Sequence, residues 1–322
     1  MNYSPANIKI WSRLGSCGAF GMAAMELPEK NENIAMLTAD LNFYSCLTRY
    51  SAKYPDKFYN LGIAEQNMVT VAAGMAKEGL VPFATTYATF ASMRCADQVR
   101  VNMGYMNLNM KLVGLTAGYS VGILGPTHMS LEDLAVMRSI PNIVILSPAD
   151  CTETVKATLA AAEIDGPVYI RLTGGLNNPI VYDKDYDFQV GKSICLKEGE
   201  KVAILATGTM VYQSLEAAKI LEEKGISTKV VDFHTIKPLD EEAIIEACNA
   251  DLIVTVEEHS VLGGFGSAVA EKVTSIADAP EQLILGMRDR YPHAGSYDFL
   301  IEQEGLTGEG IANSILNKLN QK

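Results

Sequence analysis

Paired cysteines are missing from this 322-residue chain: its six cysteines (Cys17, Cys46, Cys95, Cys151, Cys195 and Cys248) are scattered without C-x-x-C spacing. That pattern argues against a disulfide framework or a zinc ribbon, and it fits reduced thiols in a cytoplasm. No apolar run approaches the roughly 20 residues that a membrane-spanning helix needs. The start, MNYSPANIKIW, lacks the basic region and apolar stretch of a signal peptide. The expectation is a cytoplasmic chain with no membrane partner. Basic clusters are absent too: the net charge is −12. Binding to a phosphate backbone depends on clustered Lys and Arg, so nucleic acid is not an expected partner. The acidity itself indicates little beyond solubility.

What is present is apolar. Hydrophobic residues make up 48% of the chain, enough for sizeable cores, and the length predicts two domains. Short Val- and Ile-rich runs (NIAMLTAD, MKLVGLTA, NIVILSPAD, GPVYIRL, then KVAILATG, TKVVDFH, DLIVTVEE) alternate with Ala-rich stretches that read as helices at 66–78, 211–224 and 265–275. Continuous apolar strands alternating with helices predict an α/β fold whose parallel sheets are covered on both faces. The polar stretch 181–193 (VYDKDYDFQVGKS) interrupts this rhythm and reads as a linker. It separates a first α/β domain, 8–180, from a second, 194–322.

The most informative segment is NLGIAEQN at 60–67, where Glu65 stands directly before a helix. An acid there can be a simple dipole partner, or a buried proton-handling group with a raised pKa. Tyr87 and Phe90 share one side of a helical turn, a spacing that ordinary core residues also show. Asp40, in LTADLN, reads as a cap or turn residue after a strand. His128 follows a Gly-Pro in GPTH, a shaped loop of the kind sites use. His234, His259 and His293 read as structural. GGFGSAV at 263–269 is an incomplete dinucleotide loop and reads as the opening of a helix.

NLGIAEQNMVTVAAGMA, PFATTYATF, ADQVR, GPTHMSLEDLAVMRSIPNIVILSPAD, GPVYIRL, KVAILATG and VTVEEHSVLGGFGSAVAE follow one another in an order that resembles the transketolase family. The resemblance spans nearly the whole chain and implies two doubly wound domains, a thiamine-diphosphate pyrimidine-binding domain followed by the transketolase C-terminal domain. It implies that Glu65 hydrogen-bonds N1′ of the cofactor's aminopyrimidine, favouring the imino form whose exocyclic nitrogen removes the thiazolium C2 proton; the carbon chemistry is then the cofactor's. Tyr87 and Phe90 match the aromatic pair that packs against the aminopyrimidine. Ile63 matches the residue that keeps the cofactor bent, and Asp40 and Leu41 match residues on the thiazolium side. His128 matches a substrate-contacting, catalytic histidine. Arg13 and Arg171 match arginines that hold a substrate's terminal phosphate, for which a guanidinium fork is suited.

The family's GDG motif, which holds the diphosphate through a metal, does not occur in this chain. The resemblance is therefore to the small, C-terminal subunit of a split transketolase. It implies an N-terminal partner subunit that carries GDG and binds Mg2+ (or Ca2+), in an α2β2 assembly with the cofactor at the interface. The implied activity is transfer of a two-carbon ketol unit from a ketose to an aldose. The substrate side departs from the family: Leu124 stands where an aspartate is usual, Phe43 and Tyr44 stand where a small residue is common, and Met93 takes the place of an aromatic or an arginine. Alternatives are a 1-deoxyxylulose-5-phosphate synthase-like activity, the β subunit of a 2-oxo-acid dehydrogenase, and a non-catalytic partner subunit.

Overall fold

The computed structural model describes residues 1–321. Apolar runs become the strands. In chain order, these are β1 (Ile34–Thr38), β2 (Phe58–Asn60), β3 (Val81–Tyr87), β4 (Lys111–Ala117), β5 (Val144–Leu146), β6 (Val168–Thr173), β7 (Ile194–Lys197), β8 (Val202–Ala206), β9 (Thr228–Asp232), β10 (Thr235–Lys237), β11 (Leu252–Ser260) and β12 (Glu281–Met287). They form a seven-stranded sheet, order β10-β5-β6-β4-β3-β1-β2, and a five-stranded sheet, order β12-β11-β8-β9-β7. Strands inside the sheets, such as β1, β3, β6, β8 and β11, bury both faces, whereas β2, β7 and β12 at the edges stay partly exposed. Helices cover the faces, among them Glu65–Lys77, Met210–Glu223 and Phe265–Val273, which lie where the apolar pattern placed them. No helix among the described residues is long and apolar enough to cross a membrane.

Each sheet departs from purely parallel pairing at one edge. β7 runs antiparallel to β9, and β10 runs antiparallel to β5. A parallel return needs a crossover of a dozen or more residues. Only Phe233 and His234 separate β9 from β10, so the chain passes straight from the second sheet onto the edge of the first. This strand crosses between the two sequence-predicted domains and stitches them together.

The polar stretch between β6 and β7 is held between the two halves. Tyr182 and Tyr186 stack with ring centroids 4.0 Å apart. The Tyr182 hydroxyl donates to Asp232 Oδ2 at 2.6 Å, and that of Tyr186 donates to Glu153 Oε1 at 2.7 Å. Phe188 stacks on His234, 4.2 Å away. Asp150 caps the helix Cys151–Glu163 through Glu153 N and also accepts Val181 N and Tyr182 N, each at 2.8 Å. The linker is thereby anchored to the start of this helix by two buried carboxylates, Asp150 and Glu153.

Candidate active site

In a parallel α/β sheet, binding groups gather beyond the carboxyl ends of the strands. The residues marked in the sequence fall there. Asp40 and Leu41 follow β1, Ile63 and Glu65 follow β2, Tyr87 ends β3 with Phe90 just beyond, and His128 lies in the loop after β4.

Glu65 opens the helix Glu65–Lys77, where the helix dipole favours a negative charge. The turn before it uses Gly62 at φ 71°. That turn is locked by Asn60, whose Oδ1 accepts from Gly62 N and Asp40 N at 3.0 Å each and whose Nδ2 donates to Asp40 Oδ1 at 3.1 Å. Glu65 is 4% exposed, and its Oε1 accepts from Arg94 Nη1 at 2.5 Å. The Arg94 guanidinium lies over the Phe90 ring, 3.9 Å from its centroid. Phe90 stands 5.4 Å from the His128 ring and 6.0 Å from that of Tyr87. Tyr87 also lies 6.0 Å from His128 and 6.3 Å from Tyr44. These contacts make a continuous wall from Glu65 through Arg94 and Phe90 to Tyr87, His128 and Tyr44. Burial raises the Tyr87 hydroxyl above its ordinary pKa.

Arg94 was not marked in the sequence. The resemblance directed attention to Met93, which is exposed. Residues Phe90–Arg94 form a π-helical turn. A π turn is wider than an α turn, which brings residue i+4 back over residue i, so Arg94 rather than Met93 returns to Phe90.

Beyond Tyr44 lies a cleft of about 510 Å³ lined by Gly15, Phe43, Tyr44, Arg49, Thr116 and Leu176, among others. The helix Pro5–Ala24 is interrupted at Gly15, which has φ 74° and ψ 178°. A Cβ at Gly15 would sit 2.4 Å from Gly175 O, so only glycine lets the two segments meet. Ser12 and Ser16 tie the same segments by donating to Asn178 O at 2.6 Å and Thr173 O at 2.7 Å. Arg13 is exposed two residues before this break. Thr116 has φ 53°, unusual for a β-branched residue, and its buried hydroxyl has no hydrogen-bond partner. Neither Arg49 nor Thr116 carried a sequence signal, since strain and cleft lining appear only in three dimensions.

Arg171 is corrected by the structure. It is fully buried in β6, where every residue is buried. Its Nε donates to Asp133 Oδ2 at 2.8 Å and its Nη2 to Glu258 O at 2.9 Å, while Tyr169 OH donates to the same Asp133 oxygen at 2.8 Å. Arg171 therefore bridges the two halves of the chain and cannot meet a substrate's anionic tail. Glu258 works in the same seam, accepting from Tyr119 N at 2.6 Å, Thr209 Oγ1 at 2.5 Å and Tyr297 OH at 2.9 Å. Burial raises its carboxyl above the ordinary range. Gly118, at φ 69°, permits this approach, because a Cβ there would lie 2.2 Å from Glu258 Oε1. The second domain thus anchors the loop that carries His128.

The other marked groups are structural in position. His234 is buried, and burial pushes its pKa down to about 4. His259 is buried with Nδ1 2.7 Å from Ser260 O, and His293 is exposed. GGFGSAV opens the helix Phe265–Val273, whose first amides are taken by Glu257: Phe265 N and Gly266 N donate to it at 2.6 and 2.7 Å. No cluster of His, Cys, Asp and Glu suited to a metal occurs among the described residues.

A buried carboxylate flanked by Phe90 and Tyr87 is the donor set an aminopyrimidine ring calls for, one acid at a ring nitrogen and an aromatic wall beside it. Comparison with known proteins identifies the two domains. Residues 16–178 match the family model of the transketolase pyrimidine-binding domain, and residues 191–311 that of the transketolase C-terminal domain. A 6-deoxy-6-sulfo-D-fructose transketolase subunit from a Clostridium species is 41% identical over 90% of this chain and 90% of its own length. A 1-deoxy-D-xylulose-5-phosphate synthase from Caldanaerobacter subterraneus is 37% identical over 94% of this chain but only 48% of its own length. A solved structure described as a split gene transketolase, inactive beta4 tetramer, has a TM-score of 0.85 at 38% identity, over 95% of this chain and 98% of that one. The two matched domains together span most of the sequence, and the chain belongs to the transketolase family.

Proposed function

We propose that this chain is the small subunit of a two-subunit transketolase that moves a two-carbon ketol unit from a ketose to an aldose. The observation that carries the reading is Glu65, a buried carboxylate at a helix start beside the Phe90–Tyr87 wall. Glu65 would hold N1′ of thiamine diphosphate, with Phe90 and Tyr87 against its aminopyrimidine and Ile63, Asp40 and Leu41 toward its thiazolium. When bound, the cofactor supplies the nucleophilic carbon. Glu65 holds a proton at N1′, and its burial keeps water from competing for it. His128 Nδ1 is 3.0 Å from Thr127 Oγ1, which orients the ring and leaves the other nitrogen for a substrate oxygen near the reacting carbons.

The site is open on this chain. Ile63 and Phe43 are 77% and 78% exposed, Tyr44 beside Phe43 is exposed too, and so are Ile123 and Leu124 in the loop that carries His128. An apolar surface of this kind around a binding site marks an interface. An N-terminal subunit bearing the GDG motif would cover it, contribute the diphosphate cradle and its Mg2+ or Ca2+, and give an α2β2 assembly in the cytoplasm. That a relative built of beta chains alone is described as inactive supports the need for such a partner.

Arg13 and Arg49 are exposed cations at or beside the cleft, which suits a donor with an anionic tail, phosphate or sulfonate. The sulfonated sugar in one relative's name supports this class. Leu124 and Tyr44 remove a polar partner and add bulk, so discrimination should shift away from xylulose 5-phosphate and fructose 6-phosphate. The test is a panel of phosphorylated, sulfonated and neutral ketoses with the reconstituted complex. Glu65→Gln should lose on the order of 100-fold in turnover with fold and partner binding intact. A near wild-type rate in that variant would remove the assignment. Ketose cleavage by the isolated chain would remove the partner requirement, and consumption of pyruvate without sugar cleavage would favour the 2-oxo-acid dehydrogenase reading.

A further inference from the structure

Arg94 has no part in the chemistry above, yet it occupies the place that chemistry needs. Its Nη1 pairs with Glu65 Oε1 at 2.5 Å. Its guanidinium carbon lies 3.9 Å over Phe90. The backbone that carries it is tied to the Glu65 helix, because Gln66 Nε2 donates to Arg94 O at 3.0 Å. The pair is unequal: the Arg94 side chain is 44% exposed, whereas that of Glu65 is 4% exposed. A half-exposed cation therefore sits on a buried carboxylate. A guanidinium is planar, cationic and edged with donors. It thus presents to Glu65 and Phe90 much of what a protonated aminopyrimidine would present. No neighbouring thiol competes for the role, since Cys95 is neutral, its pKa raised to about 12 by burial first and by the Glu65 charge second.

We infer that Arg94 is an internal occupant of the pyrimidine site, a positioning residue that pairs with Glu65 until thiamine diphosphate displaces it. The inference rests on the reading of Glu65 given above. In the cofactor-free chain, Arg94 holds Glu65 in place. On binding, the Phe90 face and the Glu65 oxygen change owner, and Arg94 swings out through its solvent-exposed side. Removing the guanidinium should favour the cofactor twice: a competitor is lost, and a buried carboxylate is left seeking a partner.

The experiment is calorimetric titration of thiamine diphosphate, with magnesium, into the complex reconstituted from full-length chains. Arg94→Gln should bind about fivefold more tightly than wild type, the equivalent of one partly exposed ion pair. Its cofactor-free complex should melt at a lower temperature and gain more on cofactor addition. Arg94→Lys retains the charge without the planar fork and should fall between the two; it decides the matter if Arg94→Gln does not fold. Equal or weaker binding by the folded variants overturns the inference. Failure of the wild-type complex to bind thiamine diphosphate would instead overturn the underlying cofactor assignment.

Discussion

Replacing Arg171 with Met separates a structural bridge from a substrate contact. Both partners are buried, with the Arg171 and Asp133 side chains 1% and 0% exposed. Methionine keeps the aliphatic bulk but withdraws the donors to Asp133 Oδ2 and Glu258 O. Asp133 would then retain only the Tyr169 hydroxyl on Oδ2, while its Oδ1 already lacks a partner. Breaking a buried pair from one side costs roughly 3–5 kcal/mol, a large share of the 5–15 kcal/mol typical of a domain. For a domain of this size, that corresponds to a fall in melting temperature on the order of 10 °C. The assay is a thermal melt of the isolated chain and of the reconstituted complex, followed by kinetics well below the new midpoint. KM for an anionic donor should stay within about twofold of wild type, because no substrate group reaches β6. Replacing Asp133 with Leu in the same variant should recover much of the loss, since the stranded charge is gone. A variant that melts like wild type while its KM rises tenfold for anionic donors alone would refute this account and return Arg171 to the substrate site.

Two further predictions concern packing. Burial raises Asp150 to about 6 and Asp232 to about 7, and it also raises Glu153 beside them. Folded-state pKa values above the unfolded ones mean that the folded chain holds protons the unfolded chain has released, so this contribution is full below about pH 4 and is lost as pH rises through 6 to 7. Stability should therefore fall from about pH 4 to 7, by up to ~1.4 kcal/mol per pH unit for each proton, and level off above that, with melting temperature following it. Asp232→Asn supplies the donor permanently while keeping an acceptor for Tyr182, and it should flatten the fall; an unchanged slope in melts across that range would contradict it. Gly15→Ala should destabilise the chain by at least about 1–2 kcal/mol from its left-handed backbone alone, and the contact with Gly175 O should narrow the cleft. A melt and kcat/KM both equal to wild type would mean that the break in the first helix can be rebuilt without glycine.

The local features of this chain were legible in its sequence. Apolar runs located β1, β4, β5, β6, β8, β9 and β11, and the Ala-rich pattern located the helix after Glu65, because burial is written residue by residue along an element. The short or edge strands β2, β7, β10 and β12, and β3, were not read as strands. NLGIAEQN and the order of segments around it led to Glu65, Tyr87, Phe90 and His128, and folding gathers these four at one carboxyl edge. Depth and partnership were not legible. YIRL reads the same whether its arginine faces a substrate or an internal carboxylate; only the burial of β6 between the two halves, with Asp133 and Glu258 already in place, decides that Arg171 is a bridge. The pairing of Arg94 with Glu65 carried no sequence signal, because it depends on the π turn that brings Arg94 back over Phe90. The antiparallel docking of β10 on β5 joined what composition divides. Composition and pattern determine which segments seek burial and in what conformation, since those are short-range properties. Which charged group meets which is decided by the tertiary structure, because it depends on distances between segments far apart in the chain.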